Sequence, residues 1–360
     1  MKRSDCNILD DIEHMRRIDA SNMHATLISF GRQCQEAIDI GTAARLTSVP
    51  AAVSNLMICG LGGSAIGGDI LRSYLFDELE IPLEVNRGYS LPQYVSSSSL
   101  LFVLSYSGNT EEILRIFEIG NKKSIPIVCI TSGGFLADRA IETGKSLIRI
   151  PPGYPPRTAL GYLFFPVLIV LSRAGFIGEK DSAMGDTVSF LIEKTMEYQW
   201  SVPFSHNAAK ALAAQLFDRV PLVYASERFY PVARRWSTQI DENSEMLALS
   251  NVIPEMNHNE IMGWQGLRKM GDRFTAVFLR DREDQPEVQR RMDVTMEFLE
   301  SDGLSYTEVW SEGDGLLTRL FSLICLGDFM SYYAALLRGV DPTPVDRIEC
   351  LKTRLNEVDV

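Results

Sequence analysis

The most constraining feature of this chain is a rhythm that begins at Val53: short, largely apolar runs stop at a glycine or serine and give way to helical patterns. These runs cover residues 56–59, 100–104, 125–130 and 146–150. A strand with water on one face alternates apolar and polar residues, so continuous apolar runs imply strands buried on both faces. Alternating with helices, such strands build a parallel, doubly wound sheet. The rhythm pauses over the mixed sequence 175–205 and restarts, with strand candidates at 220–224, 247–252, 274–279 and 305–309 and helices at 232–240 and 286–300. The predicted fold class is α/β, with two doubly wound parallel-sheet domains and flanking helices.

Apolar residues at three- and four-residue spacing also predict helix over 8–15 and 23–40. The expected organisation is a helical lead-in over 1–50, a first α/β domain over 51–175 closed by an apolar helix at 162–171, and a helical connector over 176–205. A second α/β domain over 206–340 contains a long apolar helix at 316–337, and a C-terminal helix within 341–360 completes the chain. With 360 residues, each half can bury a core without disulfides or metal. The halves do not repeat visibly in sequence.

Composition narrows the function classes. A formal net charge of −12 argues against non-specific nucleic-acid binding, which needs a basic surface, so any phosphate bound here is small and held locally. Cys6, Cys34, Cys59, Cys129, Cys325 and Cys350 are scattered, with no C-x-x-C pair and no histidine at zinc spacing. A reducing cytoplasm is the expected compartment, with Cys59 and Cys129 acting as small core hydrophobes. The charged N-terminus has no apolar segment of secretory length, and no later stretch reaches about 20 uninterrupted apolar residues, so neither export nor membrane insertion is expected.

Two loops carry the phosphate chemistry. Residues 59–69 run Cys-Gly-Leu-Gly-Gly-Ser-Ala-Ile-Gly-Gly-Asp between a strand and a helix. Glycines let backbone approach a ligand closely there, and the helix start offers free N–H groups and the positive end of its dipole. Gly60, Gly62 and Ala65 also satisfy a dinucleotide-binding pattern, with Glu84 at the distance of a ribose ligand, and the loop could equally be a tight packing turn. The discriminating feature is a second loop after the next long apolar run, where Ser105, Ser107 and Thr110 gather three hydroxyls before a helix. Such a neutral donor cluster suits a phosphate dianion and serves no purpose for a dinucleotide, although Ser107 or Thr110 could also cap the helix.

Further along, Pro151, Pro152, Pro155 and Pro156 stiffen the loop that presents Arg157, a guanidinium able to offset an enediolate or bind sugar hydroxyls, or else an exposed linker charge. In the second half, a polar cluster over 237–245 contains Glu242, and Asn257-His258-Asn259-Glu260 follows. Acid/base chemistry on a sugar phosphate needs a carboxylate and a second proton carrier, and Glu242 and His258 have the right types. On composition alone each is equally a surface charge or a loop histidine. A metal site at His258 and Glu260 is not expected, because His14, His24 and His206 show no completing spacing.

Taken in order, these residues resemble one family: the bifunctional phosphoglucose/phosphomannose isomerases of archaea and bacteria, built from two sugar-isomerase domains. The resemblance spans residues 56–355 and rests on 60–69, 105–112, 156–161, Glu242-Asn243, 257–260, and a C-terminal stretch from Gly327-Asp328-Phe329 through 338–345 to Leu351-Lys352. It implies that Gly62, Gly63, Ser64, Ser105, Ser107, Thr110 and Arg157 hold a hexose phosphate, that Glu242 is the base, that His258 opens the ring and that Lys352 is a further acid/base residue. It also implies no cofactor and no metal, and a homodimer in which His258 serves the partner's site. Glu245 departs from the family pattern. The alternatives are a non-catalytic phosphosugar-binding regulator, which would lack the Glu/His/Lys set, and a nicotinamide-dependent oxidoreductase.

Overall fold

The computed structural model describes residues 8–47 and 49–358, and Cys6 lies outside them. The first half contains α1 (Ile12–Ile18), α2 (Met23–Ile28), α3 (Phe30–Ala43), β1 (Asn55–Cys59), α4 (Gly63–Tyr74), β2 (Leu83–Asn86), β3 (Ser99–Leu104), α5 (Glu111–Lys122), β4 (Ile127–Thr131), α6 (Gly134–Glu142), β5 (Ser146–Arg149) and α7 (Leu160–Arg173). After α8 (Asp181–Tyr198) and α9 (Ala208–Leu216) come β6 (Val220–Ser226), α10 (Tyr230–Ser244), β7 (Leu249–Ile253), α11 (Trp264–Leu267), β8 (Phe274–Arg280), α12 (Pro286–Ser301), β9 (Ser305–Trp310), α13 (Leu316–Arg338) and α14 (Asp346–Val358).

The strands form two wholly parallel sheets, in the orders β2-β1-β3-β4-β5 and β7-β6-β8-β9. Counted from the first strand of each half, the second order is the first without its last strand. The winding repeats although the sequence does not.

Burial on both faces explains the apolar runs. β1 sends Leu56 and Ile58 into one core and Met57 and Cys59 into another. Likewise β6 sends Val223 and Ala225 one way and Leu222 and Tyr224 the other. Leu56, Ile58, Val223 and Ala225 all join one shared core, so the two sheets are not separately stabilised. Each fully buried side chain of leucine size there contributes about 2 kcal/mol. The helix α13 runs through that core, and although it is long and apolar enough to cross a bilayer, it is buried against the protein's own helices α8, α9 and α10.

Two readings of the pattern change. The strand β2 escapes the apolar-run criterion because it is a short edge strand in which Leu83 alone is buried. The helix expected over 23–40 breaks at Ser29, whose hydroxyl turns back onto the Thr26 carbonyl at 2.8 Å, and α3 then continues to Ala43.

The helical lead-in is tied to the body by His24, which is 3% exposed and stacks on Trp200 with ring centroids 3.7 Å apart. Its Nε2 accepts the Trp200 backbone N–H at 3.2 Å. Burial, helped by the charges of Lys210 and Arg16, pushes the His24 pKa down to about 3 from 6.5. Because the folded pKa lies below the unfolded one, this stabilisation is complete above pH 6.5 and is lost as pH falls toward 3. The loss approaches about 1.4 kcal/mol per pH unit. The urea midpoint should therefore fall between pH 7 and pH 5, and His24→Gln should flatten that fall; an equally steep fall in the variant would assign it to other groups.

Candidate active site

The strand order reverses at β1, and the chain leaves β1 and β3 side by side because Cys59 lies opposite Val103. Loops at such a reversal diverge and open a crevice at the carboxyl ends of the strands. In the first loop Gly62 holds the N-cap position of α4 with φ 49°, a left-handed conformation that favours glycine. At Gly63 a Cβ would stand 2.7 Å from the Pro156 carbonyl oxygen and 2.9 Å from Arg157 Cα, so glycine lets the loop lie directly against the arginine's backbone. Ser64 is buried in the first turn of the helix.

In the second loop the Ser105 and Thr110 hydroxyls are 2.8 Å apart, and Ser105 Oγ also accepts the Gly108 N–H at 3.1 Å. Thr110 occupies the N-cap position of α5, yet its side chain makes no capping bond. Its hydroxyl is committed to Ser105, which argues against a purely capping role. Ser107 is exposed at the loop's tip, where its Oγ accepts the Asn109 N–H at 3.3 Å. The loop leans on the turn after β4: a Cβ at Gly108 would stand 1.8 Å from the Gly133 carbonyl oxygen, and Asn109 Oδ1 accepts the Phe135 N–H at 3.0 Å. Glu84, the ribose candidate, accepts the Tyr94 hydroxyl at 2.7 Å from the body of β2.

Arg157 is no exposed linker charge. It is 4% exposed, in a 3₁₀ turn (Pro156–Thr158) that precedes α7. Its Nε donates to Asn243 Oδ1 at 2.6 Å, and its Nη2 donates to the carbonyls of Pro342 at 2.5 Å and Thr343 at 2.9 Å. Nη1 faces Glu242 Oε2 at 3.6 Å. The apolar pattern ends the helix at Ile240, but α10 continues to Ser244, so Glu242 and Asn243 stand side by side on its last turn. Burial pushes the Glu242 carboxyl above its ordinary value; Arg157 and Arg235 draw it back, Asp241 adds to the rise and Lys352 opposes it. Burial likewise lowers the Arg157 pKa, with Glu242 opposing that fall.

The structure thus gathers Gly63, Ser64, Arg157 and Glu242, with Lys352, exposed on α14, close enough for its charge to act on Glu242. His258 is exposed on the 3₁₀ turn after β7, and among the described residues no hydrogen bond or ion pair joins it to Arg157 or Glu242. Its neighbours face inward instead. Asn257 Nδ2 donates to Thr295 Oγ1 at 2.9 Å, and Glu260 accepts from Asn251 Nδ2 at 2.5 Å and from the Tyr224 hydroxyl. No group of three or more His, Cys, Asp or Glu side chains is placed to hold a metal ion among the described residues.

Sequence reasoning missed the support behind these groups. Arg235 is 2% exposed and donates to Asp328 twice, at 3.0 and 2.7 Å, and to the Arg157 carbonyl at 2.9 Å. A carboxylate inside the apolar helix α13 was the available signal. Thr343 lies in the 338–345 stretch but was given no role there, and its Oγ1 is buried without a hydrogen-bond partner.

Residues 205–355 match the family model of the bacterial phospho-glucose isomerase C-terminal SIS domain. Over 337 residues the chain is 39% identical to a bifunctional phosphoglucose/phosphomannose isomerase of Caldicellulosiruptor bescii, covering 93% of this chain and 99% of that one. A protein of the same name from Aquifex aeolicus is 34% identical over 84% of this chain and 90% of its own length. The chain belongs to the bifunctional phosphoglucose/phosphomannose isomerase family. Its fold is shared with a glucose-6-phosphate isomerase like protein from Thermus thermophilus, at a TM-score of 0.61 and 20% identity over 93% of this chain and 96% of the other.

For this isomerase the charges around Glu242 make a directional prediction. Asp241→Asn removes a like charge and should move the acid limb of the pH–activity profile to lower pH. An unmoved limb would show that the limb does not report the carboxyl beside Asp241.

Proposed function

We propose that the protein interconverts glucose 6-phosphate and mannose 6-phosphate with fructose 6-phosphate by proton transfer through a cis-enediolate. The observation that carries this reading is the placement of Glu242 3.6 Å from a buried Arg157 whose own turn packs against Gly63. The substrate phosphate is held by the 60–64 loop and the Ser105–Ser107–Thr110 cluster, at the N-termini of α4 and α5. Glu242 moves the proton between C1 and C2, and Arg157 offsets the negative charge of the enediolate. A carboxyl raised by burial suits that role, since a base works best with a pKa nearer the operating pH. Lys352 and His258 move the protons of ring opening. Proton transfer beside a carbonyl needs no redox centre, and neither a regulator nor a nicotinamide-dependent oxidoreductase would use this acid/base set.

The deciding experiment incubates the protein with fructose 6-phosphate and separates the hexose phosphates formed. Glu242→Gln should keep the fold and bind fructose 6-phosphate, yet lose about 10² to 10⁴ in turnover in both the glucose and mannose directions. Proton exchange at C2 in deuterated water should fall with it, and undiminished exchange would assign the base to another residue.

A second copy of the chain supplies His258. In support, His258 is exposed on the 3₁₀ turn (Glu255–His258) that follows the edge strand β7, Leu249 of that strand is 50% exposed, and α14 leaves Ile348, Leu351 and Leu355 uncovered. The homodimer makes a sharp prediction: Glu242→Gln and His258→Ala proteins, each inactive alone, should regain activity when their subunits are mixed and exchanged, because one of the two mixed sites is then intact. No recovery after demonstrated exchange would place His258 in its own chain's site. The buried, unpaired Cys34, Cys59, Cys129 and Cys325 suit a reducing cytoplasm.

A further inference from the structure

We infer that Asn243 is a positioning residue that fixes the direction of the Arg157 guanidinium toward the reacting carbons; this rests on the isomerase reading above. A guanidinium has five N–H groups in a planar fork, and its orientation is set by whichever of them are engaged. Here Nε is held by Asn243 and Nη2 by two backbone carbonyls, so the edge left for chemistry is Nη1, on the side of Glu242.

The Asn243 amide cannot turn over without loss. Its Nδ2 donates to Ser331 Oγ at 2.9 Å, while that hydroxyl gives its own proton to the Asp328 carbonyl at 3.0 Å. Ser331 therefore has only a lone pair to offer, Nδ2 must face it, and Oδ1 is left facing Arg157. Asn243 is 1% exposed, so no water can substitute readily for either bond. The residue is also next to Glu242 in sequence, which means that one turn of α10 carries both the base and the clamp on its partner.

A neutral amide matters as much as the geometry. An aspartate at this position would accept from Nε equally well, but it would pair with the Arg157 charge and leave less for the enediolate. It would also lack the N–H that Ser331 receives. The charged groups acting on Glu242 from the elements around it are Arg157, Arg235, Asp241 and Lys352, and an aspartate at 243 would add a negative charge to that set.

The test uses Asn243→Ala and Asn243→Asp in the full chain. Asn243→Ala should lower kcat about ten- to a hundredfold in both the glucose and mannose directions, as expected for a misdirected transition-state contact. Its KM for fructose 6-phosphate should stay within about threefold of wild type, because the phosphate loops are untouched. Asn243→Asp keeps size and acceptor and decides the matter if the alanine variant does not fold. It should lower kcat and move the acid limb of the pH–activity profile upward. Wild-type kcat in the folded variants, with only the thermal midpoint reduced, would overturn the positioning role while leaving the isomerase reading intact. A wild-type protein that fails to isomerise hexose phosphates would overturn both.

Discussion

A guanidinium removed from water is costly unless its donors are met, and the satisfaction of Arg157 is the constraint on which the rest of the site depends. Its partners come from the far half of the chain: Asn243 on α10 and the carbonyls of Pro342 and Thr343 in the loop before α14. That loop is itself held from the N-terminal segment, since the Ser21 hydroxyl donates to Asp341 at 2.8 Å and Asp341 accepts the Thr343 N–H at 3.1 Å. Arg235, paired with Asp328, grips the Arg157 carbonyl from behind. Neither half can form this arrangement alone, which agrees with a single core shared between the sheets.

The winding repeats in the two sheets, but the loops at the two strand reversals differ in chemistry. In the first sheet the loops at the strand reversal carry glycines and hydroxyls. In the second, the chain leaves β6 at Ser226 and β8 at Arg280, followed by Asp281 and Asp284. There Arg319 of α13 donates to Asp281 at 2.8 Å, both side chains being 2% exposed, and Ser311 bonds the same carboxylate at 2.5 Å. The carboxylate that follows β8 is thus engaged by a buried ion pair within the second half. The second half contributes instead the last turn of α10, which brings Glu242 and Asn243 to Arg157 of the first half.

How far the site could be read in advance depended on the range of the interactions. The hydroxyl cluster was legible because Ser105, Ser107 and Thr110 are local in sequence, and their helix start follows from a strand ending before them. Arg157 could be read as rigidly presented but equally as an exposed linker charge, since its burial comes from residues about 86 and 185 positions away. Family resemblance supplied Lys352 and the ring-opening role of His258. The fold adds that Lys352 acts on Glu242, and that His258 is exposed on a turn anchored by Asn257 and Glu260.

By itself the sequence determined the layers. Runs such as Leu56–Ile58 and Leu100–Leu104 must be buried on both faces, and a chain that alternates them with helices has few ways to fold other than parallel sheets wound twice. Edge strands are outside that logic, because β2 needs only Leu83 inside and is held by hydrogen bonds to β1 that no side-chain pattern records. Tertiary structure alone decided the electrostatics. A carboxylate, two arginines and an asparagine acquire their roles only when α10, α13 and the Arg157 turn are packed together, since burial strengthens each charge's dependence on its partners and only the folded chain brings those partners within reach.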